Sequence, residues 1–195
     1  MCGIAGFIDF EKKTQKSNLL SITDSLFHRG PDSSDYFFEN YSEAFNIGLG
    51  HRRLAIIDLS STGNQPMLYR NFVILFNGEI YNFNELKVDL EKLNHEFIGS
   101  SDTEVLIHAY EEWGLKCVDH FIGMFAVCIY DRDLDQIILI RDRVGVKPLY
   151  YYNDGKHFLF ASELKAFHQY PYFKKEINID AVSLFLQYGC VPTPY

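Results

Sequence analysis

The chain opens Met1-Cys2-Gly3-Ile4, and the residue best suited to covalent chemistry is Cys2. An initiator methionine is removed when a small residue follows it, and cysteine is small enough. Removal would leave one residue carrying both a thiol and a free α-amine. A thiol attacks as thiolate, and a free cysteine ionises near pH ~8.5, so it needs a base at neutral pH. An α-amine with an ordinary pKa of about 7.7–8.0 is such a base. Nucleophile and general base then share one residue, the logic of a catalytic N-terminal Thr.

Three further groups could serve such a nucleophile. Asn77-Gly78-Glu79 follows an apolar strand. Asn-Gly is a common turn signal. It can equally point a side-chain amide and a backbone N–H at one oxyanion. Arg52 and Arg53 are adjacent, so in a regular strand they face opposite sides. Both could be solvated, or one could turn inward to clamp a carboxylate. Asp102 follows Ser101 in the first turn of a helix, where it either complements the helix dipole or meets a substrate ammonium. The charged stretch 141–149 reads as a turn with ion pairs and no catalytic role, and 28–32 reads first as a helix stop, with Arg29 able to support the N-terminus.

These groups need a scaffold. A chain of 195 residues with 47% hydrophobic and 16% aromatic content can bury a substantial core. The net charge of −8 and the lack of a basic cluster argue against nucleic-acid or anionic-membrane partners. No apolar run reaches the ~20 residues of a membrane span, and no secretory leader is evident. The four cysteines are widely spaced, which suits reduced thiols in a cytoplasm. The seven histidines form no i,i+4 pair and no Cys/His cluster, so no metal site is expected.

Periodicity predicts strands at 3–9, 35–39, 45–51, 54–58 and 72–76, and helices at 17–29, 82–93 and 101–114. The last two helices open with capping-box patterns. Apolar runs at 124–130 and 136–140 read as a hairpin buried on both faces, and 149–152 with 157–161 as a second hairpin. Helical pattern returns at 163–169 and 180–188. Short helices with many doubly buried strands imply an α+β fold, a four-layer α/β/β/α sandwich.

Six segments in order carry a resemblance: Met1-Cys2-Gly3-Ile4, His28-Arg29-Gly30-Pro31-Asp32, the run from Gly50 to Asp58, Phe76-Asn77-Gly78-Glu79-Ile80-Tyr81-Asn82, Ser101-Asp102-Thr103-Glu104, and the run from Arg141 to Tyr150. Together they resemble the glutamine amidotransferase domain of the N-terminal nucleophile class, and most closely that of glutamine-hydrolysing asparagine synthetases. The resemblance implies Cys2 as nucleophile and Asn77 with Gly78 as oxyanion hole. Arg53 would hold the α-carboxylate of L-glutamine and Asp102 its α-ammonium, with Glu79 nearby. Leu54, Ala55, Ile56 and Ile57 would line the site, and the loop 60–66 would cover it. Residues 1–170 would be the glutaminase domain and 171–195 the start of a connection to an ATP-dependent synthetase domain. No Ser-Gly-Gly-x-Asp-Ser phosphate loop occurs here, so ATP and Mg²⁺ are expected only in that other domain, and no cofactor in this one. The acceptor of the ammonia is aspartate on this reading. A sugar carboxylate, or a non-catalytic docking role, are the alternatives.

Overall fold

The computed structural model describes residues 1–40, 44–55 and 63–192. Its elements are β1 (Gly3–Asp9), α1 (Lys16–Asp24), β2 (Ser33–Asn40), β3 (Asn46–Arg53), β4 (Met67–Tyr69), β5 (Phe72–Ile80), α2 (Phe83–Lys92), α3 (Asp102–Trp113), β6 (Gly123–Asp131), β7 (Gln136–Arg141), β8 (Tyr150–Asn153), β9 (His157–Ala161) and α4 (Ile179–Tyr188). Short 3-10 segments lie at Phe27–Arg29, Gly114–Asp119 and Leu164–Gln169. One sheet runs β2-β3-β1-β9-β8 and the other β4-β5-β6-β7. Every strand pairing is antiparallel.

Strict alternation along the strands produces the layering, because neighbouring side chains leave a strand on opposite faces. Ile4, Ile47, Leu49 and Phe160 of the first sheet meet Val73, Leu75, Ala126, Cys128 and Tyr130 of the second, which fuses the two sheets. The opposite parity of β1 and β9 (Ala5, Phe7, Leu159, Ala161) packs on Leu19, Ile22 and Leu26 at α1. That of β5 and β6 (Ile74, Phe76, Val127, Ile129) packs on Leu86 and Leu90 of α2 and on Val105, Leu106 and Ala109 of α3. Three apolar interfaces make four layers. Among the described residues no helix is long and apolar enough to cross a membrane.

Several local expectations need correction. The pattern over 17–29 suggests one helix, but α1 closes at Asp24 and the chain tightens into the 3-10 turn Phe27–Arg29. The Ser25 hydroxyl donates to the Ile22 carbonyl there, taking an acceptor from the helix end. The strand expected at 54–58 does not begin at Leu54, since β3 ends at Arg53 and the Ala55 N–H turns to the Asp32 carboxylate (2.9 Å). Residues 56–58 lie outside the described residues. β6 is buried on both faces, whereas β7 is only half-buried because it forms a sheet edge. Ser101 caps α3 as expected, accepting from the Glu104 N–H at 3.2 Å. The Glu104 carboxylate does not complete the box, accepting instead from Ile98 N and Gly99 N. Asn82 holds the N-cap position of α2, but its side chain makes no capping bond. Its amide bridges the His120 carbonyl and the Ile122 N–H, both at 2.9 Å.

Candidate active site at the mouth of the inter-sheet layer

The alternation that builds the inter-sheet core continues beyond it and changes chemistry. On β3 the inward series Ile47, Leu49, His51 ends in Arg53. On β5 the series Val73, Leu75 becomes Asn77 and Glu79. Cys2 lies two residues before Ile4, and Met124 two before Ala126. Arg53, Asn77, Glu79, Cys2 and Met124, with Ser101, Asp102 and Thr103 from the start of α3, line a cleft of about 360 Å³. That volume is in the range of small-ligand sites.

Every sequence-named residue that the structure describes borders this cleft: Cys2, Arg53, Leu54, Ala55, Asn77, Gly78, Glu79 and Asp102. Ile56 and Ile57 lie outside the described residues, as does the 60–62 part of the proposed cover. From the remainder of that loop, Gly63 and Gln65 line the cleft, and the Asn64 side-chain oxygen accepts from Arg53 Nη1 at 2.7 Å.

The N-terminus is held by the 28–32 motif, which does more than stop a helix. Arg29 Nε donates to the Cys2 carbonyl (2.9 Å) while its Nη1 donates to Glu163 (2.9 Å). Asp32 accepts from Ala55 N and donates its own N–H to the Arg53 carbonyl (3.1 Å). Gly30 is required between them, since a Cβ there would stand 2.4 Å from the Arg52 carbonyl oxygen. Ser162 completes the anchor by exchanging hydrogen bonds with Ile4.

Burial pushes the Cys2 thiol above its ordinary pKa, while the Leu54 amide, the N-terminal ammonium, Arg53 and Lys147 draw it back. Burial likewise raises Asp102 to about 6; the Ile80 and Thr103 amides oppose this, and the charge of Glu79 adds to it. A carboxylate poised in this way suits a cationic ligand group. Asn77 is 1% exposed, and its amide nitrogen has no hydrogen-bond partner among the described residues. A buried donor left unpaired at a cleft calls for a functional explanation. Gly78 beside it is sterically obligatory, since a Cβ would come within 2.3 Å of the Met124 carbonyl oxygen.

The two arginines divide as strand geometry requires. Arg52 pairs with Asp24 on the outer face and lies over the Phe27 ring, whereas Arg53 is buried at the cleft.

Sequence reasoning missed part of the wall. Val146 and Lys147 belong to the 141–149 stretch that was assigned no catalytic role, yet both line the cleft. Lys147 is buried, with Nζ 3.3 Å from the Met1 sulfur. Asp142 fixes this loop by accepting from Val146 N (2.8 Å) and Lys147 N (2.9 Å). Met124 and Thr103 were also missed; continuing the period of two along β6 would have found Met124. Outside the cleft the structure brings His95, His108 and Glu111 together, a grouping that the short-spacing criterion for metal sites overlooked.

Comparisons with known proteins agree with this geometry. The chain is 44% identical over 213 residues to a putative glutamine-hydrolysing asparagine synthetase of Methanocaldococcus jannaschii, covering 100% of this chain and 41% of the relative. It is 40% identical to asparagine synthetase 3 of Bacillus subtilis, again over 100% of this chain and 32% of the relative. The chain thus spans less than half the length of these relatives. A glutamine phosphoribosylpyrophosphate amidotransferase structure from B. subtilis superposes with a TM-score of 0.66 over 86% of this chain and 43% of the other, at 24% identity, and so shares the sandwich fold. The family model described as glutamine amidotransferase domain matches residues 1–195, and with that match the cleft has its context: the chain belongs to the glutamine amidotransferase domain family.

Proposed function

We propose that the cleft hydrolyses L-glutamine to glutamate and ammonia through Cys2. The observation that carries this reading is the convergence in one cleft of the Cys2 thiol, the unpaired Asn77 amide and two buried groups of opposite charge, Arg53 and Asp102. Arg53 would clamp the α-carboxylate of glutamine and Asp102 its α-ammonium, leaving the side-chain amide directed at sulfur. Leu54, Ala55, Ile56, Ile57 and Glu79 would complete the binding wall.

Once Met1 is removed, the freed α-amine takes the thiol proton and sulfur attacks the amide carbon. The carbonyl oxygen becomes an oxyanion that accepts from Asn77 Nδ2 and the Gly78 N–H, each donor in such sites contributing roughly 2.7–4 kcal/mol. The α-ammonium returns its proton to the departing nitrogen, ammonia leaves, and a γ-glutamyl thioester remains. Water, deprotonated by the same amine, attacks the thioester to release glutamate and restore the thiol. A chain that keeps Met1 has no such amine on Cys2 and should be inactive.

We propose further that residues 1–170 are the glutaminase unit and that 171–195 lead toward an ATP-dependent synthetase domain in a longer cytoplasmic protein. That domain would hold ATP and Mg²⁺ and transfer the ammonia to aspartate. Supporting this are the asparagine-synthetase relatives, their greater length, and α4, on which Ile179, Phe185 and Leu186 are exposed.

The first experiment is the intact mass of the tag-free chain before and after a glutamine-like diazo-ketone. Loss of Met1 and a single adduct on Cys2 is expected. A Cys2→Ala protein that still releases ammonia would overturn the mechanism. For the acceptor, full-length protein given amide-¹⁵N glutamine, aspartate and ATP should yield ¹⁵N-asparagine; free ¹⁵N-ammonia alone would reject aspartate.

A further inference from the structure

On the outer helical layer, away from the cleft, three side chains aim donor atoms at one point. His108 and Glu111 are three residues apart on α3 and therefore share a face. His95 comes from the connection after α2, and its Nδ1 lies 2.9 Å from Nδ1 of His108. Glu111 Oε2 stands 3.7 Å from the same His95 nitrogen. The three ligand atoms all fall within 4.8 Å of one another.

The surrounding contacts decide what these atoms can do. His95 Nε2 is 3.0 Å from Glu112, which draws the ring proton to that side and leaves Nδ1 as the lone-pair nitrogen. A carboxylate behind a ligating imidazole is the usual support in metal sites. The Tyr69 hydroxyl donates to Glu111 Oε2 (2.9 Å) and Arg70 pairs with Oε1, so the carboxylate is also fixed. His108 is 1% exposed, its ring held between Tyr69 (4.2 Å) and Phe97 (4.4 Å). The His95 side chain is only 8% exposed.

A proton shared between the two facing nitrogens would account for that pair alone; Glu111 Oε2, although it already accepts from Tyr69, faces the same point. A four-coordinate zinc ion with bonds of about 2.0–2.2 Å separates its ligand atoms by roughly 3.3–3.6 Å. Two of the three spacings, 2.9 and 3.7 Å, bracket that interval, and the third lies within 4.8 Å.

We propose that His95, His108 and Glu111 bind one divalent transition metal, zinc by the nitrogen and carboxylate character of the donors. The ion ties the α2–α3 connection to the middle of α3. Asp102 lies six residues upstream on that helix, about 9 Å along its axis at 1.5 Å per residue. The site is therefore structural, and it does not depend on the reading of the cleft.

The test is zinc titration of the metal-stripped chain, with Co²⁺ as a spectroscopic probe. One equivalent should bind, with tetrahedral Co²⁺ absorption lacking a thiolate charge-transfer band, and melting temperature should rise on loading. His95→Gln and Glu111→Gln should each weaken zinc by at least about tenfold while remaining folded without metal. If His95→Gln fails to fold, Glu111→Gln decides the same point. No stoichiometric binding at neutral pH, binding unchanged in both variants, or a thiolate band would each overturn the proposal; the last would assign the metal to a cysteine.

Discussion

The Leu54 backbone meets the Cys2 sulfur twice, donating its N–H at 3.4 Å and presenting its carbonyl 3.6 Å away. The carbonyl can accept only from a protonated thiol, whereas the N–H favours thiolate. The resting sulfur is therefore held as thiol, consistent with its raised pKa, and must turn from the carbonyl when it ionises. Arg53 and, after it, Lys147 are the buried side-chain cations that favour ionisation; Lys147 is the one not also proposed to clamp substrate. Replacing it with Met should slow alkylation of Cys2 by iodoacetamide at pH 7 by roughly threefold to tenfold and move the rate profile to higher pH. An unmoved profile would remove Lys147 from the thiol's environment.

Asp102 trades stability for binding. Its folded pKa of about 6 lies above its ordinary value of 3.8, so folding takes up a proton between these pH values. Stability from this group is therefore highest at low pH and falls as pH rises toward 6. Asp102→Asn should accordingly raise stability at pH 7, on the order of 1–3 kcal/mol, while raising KM for glutamine sharply. In the unaltered protein kcat/KM should fall as pH drops through about 6. A variant that melted lower and bound glutamine as before would contradict both halves.

Asn77→Ala removes a donor that satisfies nothing in the resting protein. Turnover should drop by roughly 10²–10³ with little change in KM. Alkylation of Cys2 should continue at its normal rate. A loss below tenfold would exclude an oxyanion role.

His51 sits on the inward face of β3, buried, with Nε2 unpaired among the described residues. Burial lowers its pKa to about 3; a bond with Phe76 opposes the shift and Arg53 adds to it. Since the unfolded ring protonates near 6.5, the unfolded state binds the extra proton between those values. Stability should thus fall with acidification by as much as about 1.4 kcal/mol per pH unit below 6.5. Asp102 acts in the opposite sense, so the effect is best read in Asp102→Asn, by denaturant midpoint at pH 7 and 5. Adding His51→Phe should flatten that dependence; an equal slope would place the acid sensitivity elsewhere.

The layering was legible because β1, β6 and β5 as far as Phe76 are apolar at nearly every position, as double burial demands. The nucleophile and the binding residues were legible through chemistry and motif together. Lys147 was not, because a turn dense in charge gives no sign of which side chain points inward until Asp142 gathers its amides. β4 escaped because three residues are too few to show a period. The His95–His108 contact joins separate elements, and no local spacing announces it. Asn82 was legible as the N-cap residue, but not that its side chain would bond residues 120 and 122 in place of the first turn of α2.

Because one alternation serves both the dry seam between the sheets and its wet mouth, the site has little tolerance for small insertions. Adding one residue within β5 ahead of Asn77 would bring Gly78 and Ile80 to the cleft and send Asn77 and Glu79 toward the helices. Adding two would preserve the facing and only lengthen the seam. Length variation among relatives of this domain is therefore expected in its loops, or in steps of two along these strands.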